Sequence, residues 1–267
     1  MKQTVLVTGA SSGFGLNIAK ELHQKGYTVI GTSRNAEQTQ SKVPFKVLAL
    51  DLDDDNSIKL FGQELFQHID RLDILINNAG FYLSGLAEET PIELARKQME
   101  TNFWGTVKVT NEILPHFRKQ RAGKIITVSS ITGLFGLPSG SYYAASKHAV
   151  EGYFKALRFE LNPFNIKVTM VEPMGFNTNI VNNSLVAENK IADYDHYRKK
   201  TTAFAKKELV GAPEPTPVII QLLKLIEEQE PTFYHPVGKG SSLFVALQHC
   251  AYKVFEGAIN KRLNAAK

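Results

Sequence analysis

The amino-acid sequence predicts a single-domain α/β protein in which a doubly wound parallel sheet carries helices on both faces. Its 267 residues, 43% of them hydrophobic and 10% aromatic, are enough to build one large core. Short β-branched runs alternate with longer amphipathic stretches, and this rhythm favours parallel strands joined by right-handed crossovers. No internal repeat, low-complexity tract or linker divides the sequence, so we expect one domain over residues 1–267.

Six apolar runs are the candidate strands, and the stretches between them have the amphipathic pattern of helices packed on a sheet. The runs are Thr4–Val7, Thr28–Gly31, Phe45–Leu50, Ile74–Ile76, Lys124–Val128 and Ile166–Val171. The alternation ends after Pro173. The three prolines of 211–217 predict a turn into a helix of about Val218–Gln229. We expect the polar region 177–217 to cover the ligand, since loops beyond strand ends determine ligand choice.

The composition argues against several kinds of site and partner. A single cysteine, Cys250, excludes an intramolecular disulfide and a multi-cysteine metal site, and we expect no metal. The sequence has neither a signal-like start nor an apolar run of transmembrane length, so we expect a cytoplasmic protein. Basic residues are not clustered with aromatic residues in a recognisable motif, which argues against a nucleic-acid partner.

The first candidate strand runs directly into a glycine-rich turn that opens an amphipathic helix. Glycines with the spacing G-x-x-x-G-x-G let the backbone turn sharply and approach a phosphate, and a helix N-terminus stabilises the anion. Such a turn can also be purely structural, but its position between a strand and a helix favours a pyrophosphate site. The residues expected to contact a dinucleotide here are Gly9, Ser11, Ser12, Gly13, Phe14 and Gly15.

Two further motifs follow in order, Asn77-Asn78-Ala79-Gly80 after the fourth candidate strand and Tyr143-Ala144-Ala145-Ser146-Lys147 in a helical stretch. With these three motifs the chain resembles the short-chain dehydrogenase/reductase family. The resemblance implies a Rossmann-type fold with one dinucleotide-binding and catalytic domain, and a homodimer or homotetramer. It also implies an oxidoreductase that interconverts a small-molecule ketone or aldehyde and an alcohol by hydride transfer. Asn78, Ala79 and Gly80 would then border the adenine ribose, although alone they indicate only a turn.

The tyrosine motif implies the catalytic groups. Residues four apart on a helix share a face, so Lys147 can act on the phenol of Tyr143, the implied general acid/base. A free phenol has a pKa of about 10, and we expect Lys147 and the oxidised nicotinamide to lower it. Lys147 would also bind the nicotinamide ribose. The adjacent Tyr142 would point elsewhere and is expected to line the substrate pocket.

Two more residues match the family's catalytic pattern. Ser130 lies thirteen residues before Tyr143, directly after a candidate strand, and is the implied hydrogen-bond donor to the substrate oxygen. Its neighbour Ser129, one residue off register, is the alternative. Asn102 resembles the helical asparagine that binds a water beside the lysine, and the poor helix propensity of asparagine favours a functional reason for it.

Residues at the ends of the second and third candidate strands indicate which coenzyme is preferred and what contacts its adenine ring. Ser33 stands where NAD-preferring relatives would have an acidic residue, and Arg34 follows it. A hydroxyl and a guanidinium would accept a 2′-phosphate, so NADP(H) is favoured over NAD(H). The alternative is that Arg34 is a solvated loop cation. Asp51 and Leu52 resemble the pair that contacts the adenine ring.

After the sixth strand the sequence departs from the family's usual Pro-Gly, because Met174 follows Pro173. We expect Pro173, Gly175, Phe176 and Thr178 to keep the family's contact with the carboxamide of the nicotinamide. Met174 would add an apolar wall to the site. Apolar and aromatic residues in adjacent segments predict an apolar substrate. They are Phe81, Tyr82, Leu83, Phe135, Leu137 and Pro138.

The C-terminal region is basic, with five Lys or Arg and one Glu in residues 239–267, and its apolar residues recur at helical spacing. We expect one helix over 241–263. It is either an ordinary docked helix, a peripheral membrane contact or a subunit contact. A different function also stays open, that of a non-catalytic nucleotide-binding regulator or scaffold of the same fold.

Overall fold

The computed structural model describes residues 3–177, 184–209 and 212–265, and these contain nine β-strands. Seven of them form one parallel sheet in the order β3-β2-β1-β4-β6-β7-β9, and β5 pairs with β8 in a separate parallel ladder. The strands are β1 (Thr4–Val7), β2 (Thr28–Ser33), β3 (Lys46–Ala49), β4 (Ile74–Asn77), β5 (Leu83–Ser84), β6 (Gly123–Val128), β7 (Ile166–Pro173), β8 (Leu185–Val186) and β9 (Pro236–Val237).

Ten α-helices lie in the described residues. They are α1 (Gly13–Gln24), α2 (Ala36–Gln40), α3 (Asp55–His68), α4 (Ile92–Met99), α5 (Thr106–Gln120), α6 (Ser141–Leu161), α7 (Asp195–Leu209), α8 (Thr216–Glu227), α9 (Ser241–Cys250) and α10 (Tyr252–Asn264). A π-helical turn, Glu100–Gly105, joins α4 to α5, and a 3-10 turn, Ile131–Gly133, follows β6. None of the described helices has the length and apolar character needed to cross a membrane.

The core has two layers because successive residues of a strand face opposite sides of a sheet. Leu6 belongs to the layer beneath α3, α5 and α6, where Phe61, Phe117 and Phe154 are fully buried. Val5 and Val7 belong to the other layer, which α1 and α8 cover. The sheet therefore has helices on both faces, as the sequence predicts.

The sheet reverses its order between β1 and β4. Val5 pairs with Val29 of β2 on one side and with Ile74 of β4 on the other. At such a point the connections leave towards opposite edges and open a crevice at the carboxyl ends of the strands, where ligands of open α/β sheets bind. The ends of β1, β4, β6 and β7 all lie at this edge, since their pairings are parallel.

All six predicted strands are present, with ends that differ by at most two residues, and the helix predicted over Val218–Gln229 is α8. The prediction of one helix over 241–263 is wrong, because the chain breaks at Ala251 (φ −147°, ψ 55°) into α9 and α10. Both helices contribute to one aromatic cluster, in which Phe255 packs against Phe135 and Phe244. A single straight helix could not present Phe244 and Phe255 to the same cluster so closely.

Candidate active site

The turn after β1 has the conformation that its glycines predict. Gly9 and Gly13 have φ of +68° and +57°, a region that favours glycine. A Cβ on Gly15 would lie 2.3 Å from the Gly9 carbonyl oxygen and 2.4 Å from Asn78 Nδ2. Ser12 makes no side-chain cap at the start of α1, and the first turn of that helix holds no acidic residue. The N-terminus of α1 therefore suits an anion.

The segment after β4 is bonded to this glycine turn. The backbone N–H groups of Asn78 and Ala79 both donate to Thr8 Oγ1, at 2.9 and 3.1 Å. Asn78 Nδ2 donates to the carbonyl oxygens of Thr8 and Gly9, at 3.0 and 3.2 Å. Asn78 thus fixes the shape of the glycine turn, which the sequence did not indicate.

Asn102 lies in the π-helical turn and is 2% exposed. Its Oδ1 accepts from Phe81 N at 3.0 Å, and its Nδ2 donates to Phe81 O at 3.0 Å and to Ser146 Oγ at 3.2 Å. Ser146 in turn donates to the Tyr143 carbonyl oxygen at 2.7 Å. A Cβ on Gly80 would lie 3.0 Å from Asn102 Oδ1. Asn102 therefore braces α6 from the side of β4, and the water that the sequence predicts beside the lysine stays a prediction.

Tyr143 and Lys147 are buried on one face of α6, at the carboxyl edge of the sheet. Lys147 Nζ donates to the carbonyl oxygen of Val128, the last residue of β6, at 3.1 Å, and lies 5.9 Å from the centroid of the Tyr143 ring. Ser130 Oγ accepts from Thr132 N and Thr132 Oγ1, at 3.2 and 2.9 Å. The structure thus brings Tyr143, Lys147 and Ser130 together at one place.

Burial dominates the protonation of this site. It raises the pKa of Tyr143 to about 12, although a side-chain hydrogen bond with Ser130 lowers that pKa, and the nearby Tyr82 raises it further. Burial lowers the pKa of Lys147 to about 8, against the opposing effect of Glu151. Lys147 is not among the groups that shift this pKa, and its amine is directed at the Val128 carbonyl, so the expected lowering by Lys147 and the oxidised nicotinamide stays a prediction.

The residues expected to contact the coenzyme at the ends of β2 and β3 differ in their burial and hydrogen bonding. Ser33 Oγ accepts from Asn35 N at 3.2 Å and from Thr39 Oγ1 at 2.9 Å, so this hydroxyl is engaged within its own turn. Arg34 is exposed. Asp51 Oδ1 accepts from Asp53 N at 3.1 Å. Leu52 is buried and lies against Gly105 of the π-helical turn.

The segment after β7 returns to the glycine turn. The rings of Phe176 and Phe14 meet edge to face, with centroids 6.0 Å apart. Met174 N donates to Val237 O at 2.9 Å, and the Met174 side chain packs on the cluster around Phe135. Pro173 ends β7 and Gly175 follows Met174, whereas Thr178 lies outside the described residues.

The family model described as short chain dehydrogenase matches residues 3–189. The chain belongs to the short-chain dehydrogenase family.

Proteins of similar sequence support this membership. The chain is 38% identical over 239 residues to a 3-ketodihydrosphingosine reductase of Bacteroides thetaiotaomicron, with 88% of each sequence covered. It is 36% identical to the uncharacterized oxidoreductase YusZ of Bacillus subtilis, covering 98% of this chain and 99% of that protein. As a short-chain dehydrogenase, the protein is an oxidoreductase.

Solved structures share the fold of this short-chain dehydrogenase. A short-chain dehydrogenase from Streptomyces avermitilis superposes with a TM-score of 0.84 at 28% identity, covering 100% of this chain and 99% of that one. A variant of actinorhodin polyketide ketoreductase with NADPH superposes with a TM-score of 0.76 at 26% identity, covering 90% and 97%.

From the sequence, Tyr82 and Tyr142 are expected near the substrate in this dehydrogenase, whereas no role was assigned to Ser146. The Tyr82 ring packs edge-on to the Tyr143 ring, with centroids 4.8 Å apart. Tyr142, the expected pocket residue, is only partly buried, and its hydroxyl is directed at the Ala87 carbonyl, 3.5 Å away. In the sequence, the position of Ser146 between Tyr143 and Lys147 was the one indication that its hydroxyl helps to hold α6 in place. Among the described residues, no group of three or more His, Cys, Asp or Glu could hold a metal.

Proposed function

We propose that the protein is an NADP(H)-dependent oxidoreductase that interconverts a ketone or aldehyde and an alcohol, with Tyr143 as general acid/base. The observation that carries the proposal is the convergence of Tyr143, Lys147 and Ser130 at the carboxyl edge of the sheet, next to the glycine turn. Bound NADP(H) would supply or accept the hydride. The chain's own residues bind, orient and move the proton.

The glycine turn fits a dinucleotide because its backbone leaves no room for side chains and its helix start suits a pyrophosphate. The residues that would hold the coenzyme are Gly9, Ser11, Ser12, Gly13, Phe14, Gly15, Ser33, Arg34, Asp51, Leu52, Asn78, Ala79, Gly80, Tyr143, Lys147, Pro173, Gly175, Phe176 and Thr178. The solved relative that contains NADPH supports a phosphorylated coenzyme.

The protein's part of the chemistry is proton transfer and charge stabilisation. During reduction, negative charge develops on the carbonyl oxygen, and hydrogen bonds from Tyr143 and Ser130 stabilise it. A phenol whose pKa lies at about 12 carries its proton at neutral pH and is ready to donate it. The Lys147 ammonium then stabilises the phenolate that remains, and Asn102 keeps α6 in register through Ser146.

We propose an apolar substrate. Phe135, Leu137 and Met174 lie in one cluster with residues of α9 and α10, close to the segment after β6 that carries Ser130. The names of two relatives, a 3-ketodihydrosphingosine reductase and a polyketide ketoreductase, describe ketone reduction. These names support a ketone on an apolar chain as the substrate class.

The region 177–217 is the proposed cover of the substrate. Its strand β8 pairs with β5, and its helix α7 is tied down by Arg198, which forms an ion pair with the buried Glu89. Arg198 Nη2 also donates to the Ile191 carbonyl at 2.9 Å, and Ile191 N donates to Glu89 Oε1 at 2.9 Å. The cover is thus anchored to the turn beside α4.

The coenzyme preference should depend on Arg34. We expect kcat/KM to be higher with NADPH than with NADH, and Arg34→Ala to lower the NADPH value by about tenfold or more, since a charge-assisted hydrogen bond contributes roughly 1.5–3 kcal/mol. Steady-state kinetics with both coenzymes measures this. The control is Lys59→Ala, which removes an exposed cation of α3 and should change neither value. A wild-type preference for NADH above tenfold would refute the assignment.

The serine assignment can be tested with adjacent variants. Ser130→Ala should lower kcat by about 10²–10³, the usual loss when one oxyanion donor is removed. Ser129→Ala should have a much smaller effect, because Ser129 is buried towards Glu151 and Gly133. Turnover of a ketone followed by NADPH absorbance measures both. A larger loss in Ser129→Ala than in Ser130→Ala would move the donor to Ser129.

A further inference from the structure

Two buried carboxyl groups lie behind the candidate active site, where the chemistry described above does not use them. Glu151 follows Lys147 by one helical turn on the buried face of α6 and is 5% exposed. Glu172, near the end of β7, is fully buried. A charged carboxylate at such a place is costly unless it is paired or hydrogen-bonded.

The carboxyl group of Glu151 is poorly satisfied. Neither of its oxygens completes a hydrogen bond within the described residues, and the same is true of the Ser129 hydroxyl that faces it. A Cβ on Gly133 would lie 2.7 Å from Ser129 Oγ and 3.2 Å from Glu151 Oε1, so glycine at 133 leaves the space that both groups share. The Ser129 hydroxyl lowers the pKa of Glu151 and is the donor that shares this space with its carboxyl group.

In the described residues, one of the two carboxyl oxygens of Glu172 accepts a hydrogen bond. Its Oε2 accepts from His235 N at 2.7 Å, while Oε1 has no partner in the described residues. Burial and the Glu151 charge raise the pKa of Glu172 to about 9, so this group holds a proton at neutral pH. Burial raises the pKa of Glu151 to about 7, although Ser129, Lys147 and Lys155 lower it. Between about pH 7 and about pH 9, the pair then carries one negative charge, on Glu151.

This charge acts on Lys147. Burial disfavours the ammonium form of Lys147, and Glu151 is the charge that opposes this effect. The cation Lys155 lies one turn further along α6, over the Tyr234 ring, with 5.6 Å from Nζ to the ring centroid. The charged groups that act on Glu151 are thus Lys147 and Lys155 of its own helix, and Glu151 in turn acts on Glu172 of β7.

We propose that Glu151, which lies one helical turn from Lys147 on the buried face of α6, is a positioning residue that supplies the counter-charge for Lys147. Glu151 acts through the ammonium of Lys147 and touches no reacting atom. The inference rests on the proposed role of Lys147 in binding the coenzyme and stabilising the phenolate. It assigns α6 three functional residues at four-residue spacing, Tyr143, Lys147 and Glu151.

The test compares two isosteric variants. Glu151→Gln removes the charge, whereas Glu172→Gln replaces a group that is already neutral at neutral pH. In Glu151→Gln the alkaline limb of the pH profile of kcat should move down by about one pH unit, because Lys147 loses its proton at a lower pH. In Glu172→Gln the profile should stay unchanged. Glu151→Asp should restore the wild-type limb at least in part. Superimposable profiles for wild type and Glu151→Gln would overturn the proposal.

A second measurement needs no coenzyme. In protein labelled with [δ-¹³C]glutamate, one carboxyl resonance should titrate near pH 7 and be absent from Glu151→Gln. A second resonance, near pH 9 in the wild type, should titrate at lower pH in Glu151→Gln, since the like charge is gone. If the Glu151 resonance shows the carboxyl group still protonated throughout the pH range in which the enzyme is active, the proposal fails. Conversely, an active Tyr143→Phe variant would refute the proposed function and leave these titrations unaffected.

Thermal unfolding checks whether the variants fold. The pH dependence of their stability also gives an independent test of the Glu151 titration. The folded-state pKa of Glu151 is raised above the ordinary carboxyl value of 4.5, so the folded protein binds this proton more tightly than the unfolded chain. The contribution of this group to stability is therefore full below pH 4.5 and is lost as the pH rises to about 7. Glu151→Gln should lack that loss and be at least as stable as the wild type above neutrality. A variant that melts far below the wild type at pH 8 would indicate a structural role instead.

Discussion

Replacing Tyr143 by Phe should lower kcat by about three to four orders of magnitude, the upper half of the range for loss of a general acid. The substitution removes one oxygen from a buried ring and leaves the contact with the Tyr82 ring in place. Neither the glycine turn nor the Lys147 bond to Val128 involves the phenol oxygen. Coenzyme binding, measured by fluorescence or calorimetry, should therefore change by less than about threefold.

A matched control lies on the same helix. Tyr153→Phe removes a phenol that donates to Asn111 Oδ1 at 3.1 Å on an exposed part of the surface. Its kcat should stay within a factor of about two of the wild type. If Tyr143→Phe retained half of the wild-type turnover, the proton would have to come from another group, and the proposed chemistry would be wrong.

The parts of the fold and site that could be predicted from the sequence are local ones. The glycine turn follows from the backbone freedom that Gly9 and Gly13 require, and the shared face of Tyr143 and Lys147 follows from helical geometry. The parallel sheet follows from the alternation of apolar runs and amphipathic stretches. Each of these depends on residues close together in sequence.

What escaped prediction depends on residues far apart in sequence. The π-helical turn at Glu100–Gly105 lies where Asn102 reaches Phe81 and where Gly105 meets Leu52, contacts that span 21 or more residues. Strand β9 has only two residues and gains its place by pairing with the end of β7. Such short or distorted elements have too weak a local pattern to be recognised.

The buried carboxyl pair illustrates the same limit. Glu151 and Glu172 read as ordinary surface acids, since charged side chains are rarely buried. Only the pairing of β6 with β7, and the packing of α6 over both, enclose them. The rise of the phenol pKa was missed for a related reason, because the spacing of Tyr143 and Lys147 does not reveal how deeply the Tyr143 ring is buried.

The second prediction with a large expected effect concerns a substitution in the glycine turn. Gly15→Ala should weaken NADPH binding by about 10²–10⁴, because a Cβ 2.3 Å from the Gly9 carbonyl oxygen and 2.4 Å from Asn78 Nδ2 must displace the turn. The loss of two charge-assisted hydrogen bonds to phosphate at roughly 1.5–3 kcal/mol each gives this range. The free energy of unfolding should fall by about 1–3 kcal/mol, as for other overpacked sites.

Gly152→Ala is the control, since Gly152 is also helical but a Cβ there would meet nothing within 4 Å. That variant should bind NADPH like the wild type and gain about 0.4–1 kcal/mol of stability from the lost freedom of the unfolded chain. The two variants make the same chemical change, so opposite outcomes isolate the contact of Gly15 with Gly9 and Asn78. Equal NADPH affinities measured by calorimetry would mean that the turn after β1 does not hold the pyrophosphate, and the coenzyme site would have to be sought elsewhere on the sheet edge.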